Sequence, residues 1–223
     1  MPVSDYHIQP VALNIEGIAI QLWQVTNVDE LLEALLAKGD THTDVQDERI
    51  PYWAELWPAA VGLSRYLVLS GAIQAGMQVL EIGCGLGLPG IVAGRLGAQV
   101  TLTDYLPEAL DFACRNWKLN NVEPARYQLM DWRNPLPELA ADLVLAADIA
   151  YEQRFFEHLP AAFRALCRPG GRVLVSDPGR PIATDFFANL PQQGFQMKQH
   201  SYAVTMHHSR LPVEVHIYEL SPV

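Results

Sequence analysis

A short apolar run that ends in a glycine-rich loop, Val79-Leu-Glu-Ile-Gly-Cys-Gly-Leu-Gly-Leu-Pro-Gly90, constrains the fold more than any other stretch. Val79, Leu80 and Ile82 form the run that is typical of a strand covered on both faces. The glycines that follow allow a sharp turn and let a ligand approach the backbone closely. Pro89 suits the first turn of a helix. The stretch therefore predicts a strand, a ligand-binding loop and a helix, with free N–H groups at the helix start.

Two nucleotide-cofactor patterns overlap in this loop. Read from Gly85, the sequence fits the dinucleotide pattern G-x-G-x-x-G. Read from Glu81, it fits E-x-G-x-G-x-G. The loop alone does not distinguish between the two patterns. The remaining motifs of the chain are needed to decide which cofactor it binds.

The chain length and the net charge limit the classes of function that we expect for this protein. The chain has 223 residues, half of them hydrophobic, which predicts one sizeable domain (50–223) with a small N-terminal extension (1–49). The net charge of −10 argues against general nucleic-acid binding, which needs a basic surface. No apolar run approaches the ~18 residues of a membrane span. We therefore expect neither a nucleic-acid nor a membrane partner.

Cysteine and histidine usage gives no sign of a metal site. Cys84, Cys114 and Cys167 lack paired metal-ligand spacing, and free thiols are expected. The histidines show no ligand spacing either, and His207-His208 is expected in a turn. The N-terminus lacks a basic region followed by an apolar core, so no secretory signal is expected and the location predicted is cytoplasmic.

The remainder of the chain alternates between strand and helix patterns. Val11–Val25 predicts a hairpin around Gly17, followed by a helix from Asn27 to Gly39 and a solvated connection over Asp40–Glu48. Further strands are predicted at 99–103, 127–130, 142–147, 172–176, 195–204 and 213–220, and helices at 58–69, 89–96, 107–119, 155–167 and 181–190. This alternation predicts a doubly wound α/β sheet.

Three carboxylates follow successive predicted strands. Asp104, Asp131 and Asp148 each stand where a strand ends. In such sheets ligands bind outside the carboxyl ends of the strands. One such residue alone would be interpreted as a loop carboxylate or a helix cap, but three beside a glycine loop predict a binding site.

Together, the loop Glu81–Gly87, Asp104, Asp131-Trp132 and the two closing strands resemble class I S-adenosylmethionine (SAM) methyltransferases over about residues 50–220. The resemblance implies a Rossmann-like α/β fold whose seven-stranded, mostly parallel sheet has the order 3-2-1-4-5-7-6, with strand 7 antiparallel. It implies helices on both faces and SAM as the cofactor.

A narrower resemblance involves Trp53–Ala60, Asp131-Trp132 and the D-x-x-Y motif Asp148–Tyr151. These are similar to the seven-β-strand protein lysine methyltransferases of methyltransferase family 16, and Asp177-Pro-Gly-Arg180 is similar to their electron transfer flavoprotein β-subunit branch. The implied reaction is methyl transfer to a lysine of a protein substrate. The alternatives are N-methylation of a small molecule, as in nicotinamide-type enzymes, an NAD-dependent oxidoreductase, and a SAM-binding module without catalysis.

The resemblance also implies site residues. For the cofactor they are Trp57, Glu81, Gly83, Gly85, Gly87, Asp104, Tyr105, Asp131, Trp132 and Ala147, with Asp104 accepting from the ribose hydroxyls and Asp131 from the adenine amino group. For catalysis, Asp148 would orient the incoming amine and Tyr151 would shape an apolar slot around the lysine stem. From position alone, Glu81 is also consistent with a buried carboxylate bonded to backbone amides, and Asp148 with a helix cap, but the site roles are favoured for both.

Overall fold

The computed structural model describes residues 6–120, 123–206 and 209–223, so the turn predicted at His207-His208 lies outside the described residues. Nine strands and seven α-helices are assigned within these ranges. In chain order they are β1 Ile8–Ile15, β2 Ile18–Val25, α1 Val28–Leu36, α2 Thr43–Gln46, α3 Pro58–Ser70, β3 Gln78–Ile82, α4 Leu88–Arg95, β4 Gln99–Asp104, α5 Pro107–Leu119, β5 Arg126–Leu129, β6 Ala141–Ala147, α6 Leu159–Leu166, β7 Cys167–Asp177, α7 Thr184–Asn189, β8 Phe195–Val204 and β9 Val213–Pro222.

Seven of the strands form one sheet in the order β5-β4-β3-β6-β7-β9-β8. The β3, β4, β5, β6 and β7 neighbours pair in parallel, and β9 runs antiparallel to both β7 and β8. Numbered from β3, this is the predicted order 3-2-1-4-5-7-6 with strand 7 reversed. The predicted fold class is confirmed.

Alternation along the central strands explains why both faces of the sheet are covered. On β6, Leu143 and Leu145 belong to one core cluster, with α3, α4 and α5, whereas Val144 and Ala146 belong to the other, with α6 and α7. All four are completely buried. Because side chains alternate between faces, an unbroken apolar strand requires helices on both sides.

The predicted N-terminal hairpin is present as a separate two-stranded sheet. Ile15 pairs with Ile18, so Glu16 and Gly17 form a two-residue turn. Both have positive φ, 49° and 94°, as the tight hairpin turn requires. The hairpin's apolar residues join the core cluster of the larger domain. The division at residues 49/50 stays a prediction.

Two asparagines of α5 complete the edge of β2. Asn116 accepts from the Trp23 N–H at 2.7 Å and donates to the Trp23 carbonyl at 3.3 Å. Asn120 makes the same pair of bonds with Gln21, at 3.0 and 2.8 Å. Four residues of an α-helix rise about 6 Å, close to the ~7 Å between alternate strand residues, so the two amides serve as a partner strand. Asn116 also donates to Leu86 in the glycine loop at 3.1 Å, which ties the hairpin to that loop.

We expect Asn116→Ala to lower the free energy of unfolding by about 2–4 kcal/mol, because it leaves several buried backbone groups unpaired. Chemical denaturation would measure the change. Lys118→Ala, on the exposed side of the same helix, is the matched control. A loss as small as that of the control would show that the side-chain ladder does not hold the hairpin.

The structure differs from the predicted elements in several places. The helix predicted at 181–190 is an α-helix only over Thr184–Asn189. Helix α6 begins at Leu159 rather than at 155, because Pro160 belongs in a first turn. Strand β7 begins at Cys167 rather than at 172, and its pairing with β6 shifts register between Ala141 and Leu143. The connection over 40–48 contains the short helix α2. Among the described helices, none has the length and apolar character of a membrane span.

Candidate active site

A cleft of about 730 Å³ opens at the carboxyl ends of β3, β4 and β6, closed on one side by residues 50–57. It is the crevice in which doubly wound sheets bind their ligands. Every predicted site residue except Asp131 lines it, namely Trp57, Glu81, Gly83, Gly85, Gly87, Asp104, Tyr105, Trp132, Ala147, Asp148 and Tyr151. The residues that we predicted from the sequence therefore lie in one cleft. The role of each residue stays a prediction.

The glycine loop allows its aromatic neighbours to pack against backbone. Gly83 and Gly85 have φ of 61° and 49°, which side chains other than glycine rarely adopt. A Cβ at Gly83 would stand 2.7 Å from the Trp132 ring, and one at Gly85 would stand 3.3 Å from the Trp53 carbonyl oxygen. Any larger residue at Gly83 would push away a wall of the cleft.

Asp104 is a buried carboxylate at the end of β4, only 5 % exposed. Its Oδ2 accepts from the Gly85 N–H at 3.0 Å, and its Oδ1 accepts from the Leu106 N–H at 3.1 Å. Burial raises the pKa of Asp104 to about 6, and the backbone N–H groups of Gly85, Leu106 and Tyr105 oppose that rise. A carboxylate has about four acceptor sites, so Asp104 keeps acceptor capacity for a hydroxyl group beside these donors. It is ionised at neutral pH.

Glu81 lies in the interior, 1 % exposed, below the start of α4. Its Oε2 accepts from the Gly90 N–H at 2.8 Å. Burial raises the pKa of Glu81 to about 8, and the negative charge of Asp104 adds to the rise. The carboxyl group consequently holds its proton at neutral pH, bonded to a backbone amide. Its predicted contact with a cofactor stays a prediction.

We expect the raised pKa of Glu81 to make the protein less stable as pH rises. Between the ordinary carboxyl pKa and about 8, the folded protein holds a proton that the unfolded chain has released, so higher pH favours unfolding. From pH 7 to pH 8, where Asp104 is largely ionised, the loss should be about 1 kcal/mol. Denaturant unfolding at both pH values should show the slope. It should be absent in Glu81→Gln and retained in Glu138→Gln, an exposed control; a wild-type stability independent of pH would contradict it.

Asp131 lies outside the described lining of the cleft and is engaged elsewhere. Both of its oxygens pair with Arg133, at 3.0 and 2.7 Å from Nε. Arg133 also binds Asp47 through Nη1 at 2.7 Å and Nη2 at 3.2 Å. The Arg133 hydrogen bond lowers the pKa of Asp47. This bridge fastens the connection beside α2 to the loop after β5, a role for which the sequence offered no signal.

Asp148 has the most constrained backbone in the site. Its φ is +56°, an uncommon value for a residue other than glycine, and its N–H donates to the Ser176 carbonyl at 2.9 Å. The carboxylate forms a two-point ion pair with Arg180, at 2.7 Å from Nε to Oδ1 and 2.9 Å from Nη2 to Oδ2. Asp148 is therefore held rigidly and carries a partner that the sequence had not assigned to it.

A second cavity of about 600 Å³ adjoins the cleft at Asp148. Five residues line both spaces: Ile50, Tyr52, Trp57, Asp148 and Tyr151. Glu48, Glu152 and Arg180 complete the second cavity. The Tyr52 ring stands edge-on to Tyr151 at 5.4 Å and to Trp57 at 6.1 Å. The two cavities thus meet at a carboxylate surrounded by aromatic rings.

Sequence reasoning had assigned no role to Tyr52 and Arg180. Tyr52 stands next to the quoted Trp53–Ala60 motif, and Arg180 is the last residue of the quoted Asp177–Arg180 motif. Their proximity to those motifs was the available signal. Their roles depend on which loops face one another across the sheet end, which spacing does not reveal.

Comparison with known proteins agrees with this geometry. The sequence model of a family described as lysine methyltransferase matches residues 42–193. Mouse "Protein N-lysine methyltransferase METTL21A" is 32% identical over 173 residues, which cover 74% of this chain and 76% of that protein. The zebrafish "Electron transfer flavoprotein beta subunit lysine methyltransferase" is 33% identical, over 58% of this chain and 51% of that protein.

A further group of relatives is named for a different acceptor, arginine. Rat "Histone-arginine methyltransferase METTL23" is 33% identical over 130 residues, which cover 56% of this chain and 58% of that protein. The chain spans about half to two thirds of the length of the METTL23 relatives, from 51% to 65%.

Solved structures share the fold. Magnesium protoporphyrin IX methyltransferase from Synechocystis, solved with bound SAM, superposes with a TM-score of 0.58 at 16% identity, over 87% of this chain and 91% of that one. This likeness establishes the Rossmann-like methyltransferase architecture. The family model covers more than half of the chain, and the predicted resemblance is confirmed: this chain belongs to the lysine methyltransferase family, methyltransferase family 16.

Proposed function

We propose that this protein is a SAM-dependent N-methyltransferase whose acceptor is a lysine side chain of a protein substrate. The observation that carries the proposal is Asp148, a buried carboxylate at the junction of two cavities. The first cavity has the glycine loop and acid of a nucleotide-cofactor site, and the second has aromatic and acidic walls that suit a cationic side chain. Family membership and the lysine methyltransferase relatives add support.

The chemistry of the cleft residues supports SAM as the cofactor. Asp104 offers ionised acceptor oxygens for a ribose diol, a charge-assisted pairing. The glycine loop exposes backbone at close range, and Trp132 walls the cleft beside it. When bound, SAM supplies an electrophilic methyl group on a cationic sulfur.

The residues of the second cavity would prepare the acceptor. A lysine has an ordinary pKa of about 10.4, so its amine must lose a proton before it can attack a methyl group. Asp148 would accept a hydrogen bond from that amine and direct its lone pair toward the cleft. Tyr52 and Tyr151 would enclose the apolar stem and exclude water. Orientation and desolvation are the main contributions, since the leaving group needs no help from an acid.

The charges at the entrance support a basic acceptor segment. Glu48 and Glu152 line the second cavity, and the whole chain carries a net charge of −10. Such a field attracts a lysine-bearing, positively charged surface. The three unpaired cysteines support our further proposal of a cytoplasmic location.

Two other acceptors are tested by the same experiment. The METTL23 relatives favour a protein arginine as the second candidate. Small-molecule N-methylation is the third.

The experiment is transfer of labelled methyl from SAM into an extract of source cells, separated by size, with Asp148→Asn as the control. Label in a discrete protein, absent with the variant and recovered as methyl-lysine after hydrolysis, would support the proposal. Methyl-arginine would replace lysine by arginine, and label only in small molecules would overturn the protein substrate. SAM binding without any transfer would favour a binding module.

A further inference from the structure

Arg180 reaches from the loop after β7 to the carboxylate that we place at the acceptor. Its guanidinium contacts both oxygens of Asp148, at 2.7 and 2.9 Å. The Asp148 side chain is 4% exposed and that of Arg180 is 31% exposed. The guanidinium carbon also stands 5.6 Å from the centre of the Trp57 ring. The acceptor carboxylate therefore has a fixed positive charge beside it.

The loop that carries Arg180 is organised to hold it there. Asp177 Oδ1 accepts from the N–H groups of Gly179 and Arg180, at 2.7 and 2.8 Å. Gly179 has a φ of +77°, which permits this tight turn. Asp177 is itself only 2% exposed. Because the backbone at both ends of the ion pair is fixed, this is not a mobile surface pair of negligible strength.

The pair leaves room for an amine to bind. The guanidinium occupies one acceptor site on each carboxylate oxygen, and each oxygen has another. A lone carboxylate in this setting would favour the protonated ammonium form of lysine, which has no lone pair with which to attack. A nearby guanidinium acts in the opposite direction, because a like charge disfavours protonation of the amine.

We propose that Arg180 is a positioning residue that balances the charge of Asp148, so that the acceptor lysine is bound as the neutral amine. This proposal rests on the proposed function. Asp148 then supplies direction by hydrogen bonding, without holding the attacking nitrogen in its unreactive charged form. Proton loss accompanies binding, and no general base is required at the methyl-transfer step.

The surrounding charges leave this role to Arg180. Among the described residues that line the second cavity, Arg180 is the one cation. Glu48 and Glu152 face the cavity but both pair with Arg154, at 3.3 and 2.5 Å. Asp177 bonds backbone N–H groups through Oδ1, and its negative charge also interacts with Asp148 and Arg180. Burial raises the pKa of Tyr151, so its hydroxyl adds no charge to the cavity at physiological pH.

The test is the pH dependence of kcat for Arg180→Gln, with Arg180→Lys as the charge-conserving variant. The acceptor is the protein that takes up label in the extract experiment. For Arg180→Gln we expect kcat at pH 7.5 to fall about tenfold or more and to approach the wild-type value near pH 10, because the bound lysine's pKa rises by about one unit or more. KM for the acceptor should not rise. Arg180→Lys keeps the charge but not the two-point contact, so we expect a lower kcat with the wild-type pH dependence up to about pH 9.

A second readout does not require turnover. Calorimetry of acceptor binding in two buffers of different ionisation enthalpy measures the protons released. Wild-type protein should release more protons at pH 7.5 than Arg180→Gln does. SAM affinity, measured separately, should be the same in all three proteins, which shows that each is folded.

The outcomes separate the two proposals. A loss of kcat that is equal at every pH would mean that Arg180 acts only through structure, and equal proton release would likewise overturn the inference. Failure of wild-type protein to methylate any lysine would overturn the proposed function and this inference with it.

Discussion

Asp148→Asn should reduce methyl transfer by about 100-fold to 10,000-fold while leaving SAM affinity within a factor of about three. Asparagine keeps the volume of Asp148 and tolerates its φ of +56°. It replaces one acceptor oxygen with an NH₂ donor, which would face both the Arg180 guanidinium and the incoming amine. Transfer of labelled methyl gives the rate, and calorimetry gives the SAM affinity.

The matched control for this variant is Asp142→Asn, at the other end of the same strand. Asp142 also pairs with an arginine, Arg168, at 3.1 Å, but it lies at the amino end of β6, away from the cleft. The control should retain transfer. An Asp148→Asn protein that also transfers methyl at the wild-type rate would remove Asp148 from the mechanism.

Asp104→Ala should weaken SAM binding by at least about 100-fold, because charge-assisted hydrogen bonds contribute roughly 1.5–3 kcal/mol each. The variant also removes the acceptors for the Gly85 and Leu106 N–H groups, which loosens the loop. Titration calorimetry would measure the affinity. Asp111→Ala, exposed on α5, is the control, and wild-type affinity in Asp104→Ala would exclude the ribose role.

The same contact predicts a dependence of SAM affinity on pH. The pKa of Asp104 is raised to about 6, so the free protein takes up a proton as the pH falls through that value. Ribose hydroxyls donate to the ionised carboxylate, and we therefore expect affinity to fall up to about tenfold per pH unit below pH 6. Equal affinity at pH 5 and pH 8 would contradict an ionised acceptor.

Much of the fold could be predicted from local patterns of apolar residues in the sequence. The buried run at Val79–Ile82 and the alternating helix and strand patterns after it fixed a doubly wound sheet, because each signal depends on neighbouring residues only. Element ends were less predictable. The helix expected from 155 begins at Leu159, and the strand expected from 172 begins at Cys167.

The position of the site followed from the same rule. Parallel strands end at one edge, so Asp104 and Asp148 had to lie near each other once the sheet was predicted. The same rule predicted that Asp131 lines the cleft, but Asp131 is not among the residues that line it. Its partner Arg133 also binds Asp47, 86 residues away, and sequence spacing holds no information on such a contact.

The sheet order was implied by the resemblance to class I methyltransferases. The sequence by itself determined the alternation of strands and helices, the loop that faces the cleft and the strand ends that carry its acids. These depend on local periodicity and on the geometry common to all such sheets. Only the tertiary structure decided which charges meet. Arg180 pairs with Asp148 across 32 residues, and Asn116 completes a strand edge 93 residues away. Such contacts arise where loops and helices are brought together by packing of the whole core, and a short separation in the chain neither causes nor signals them.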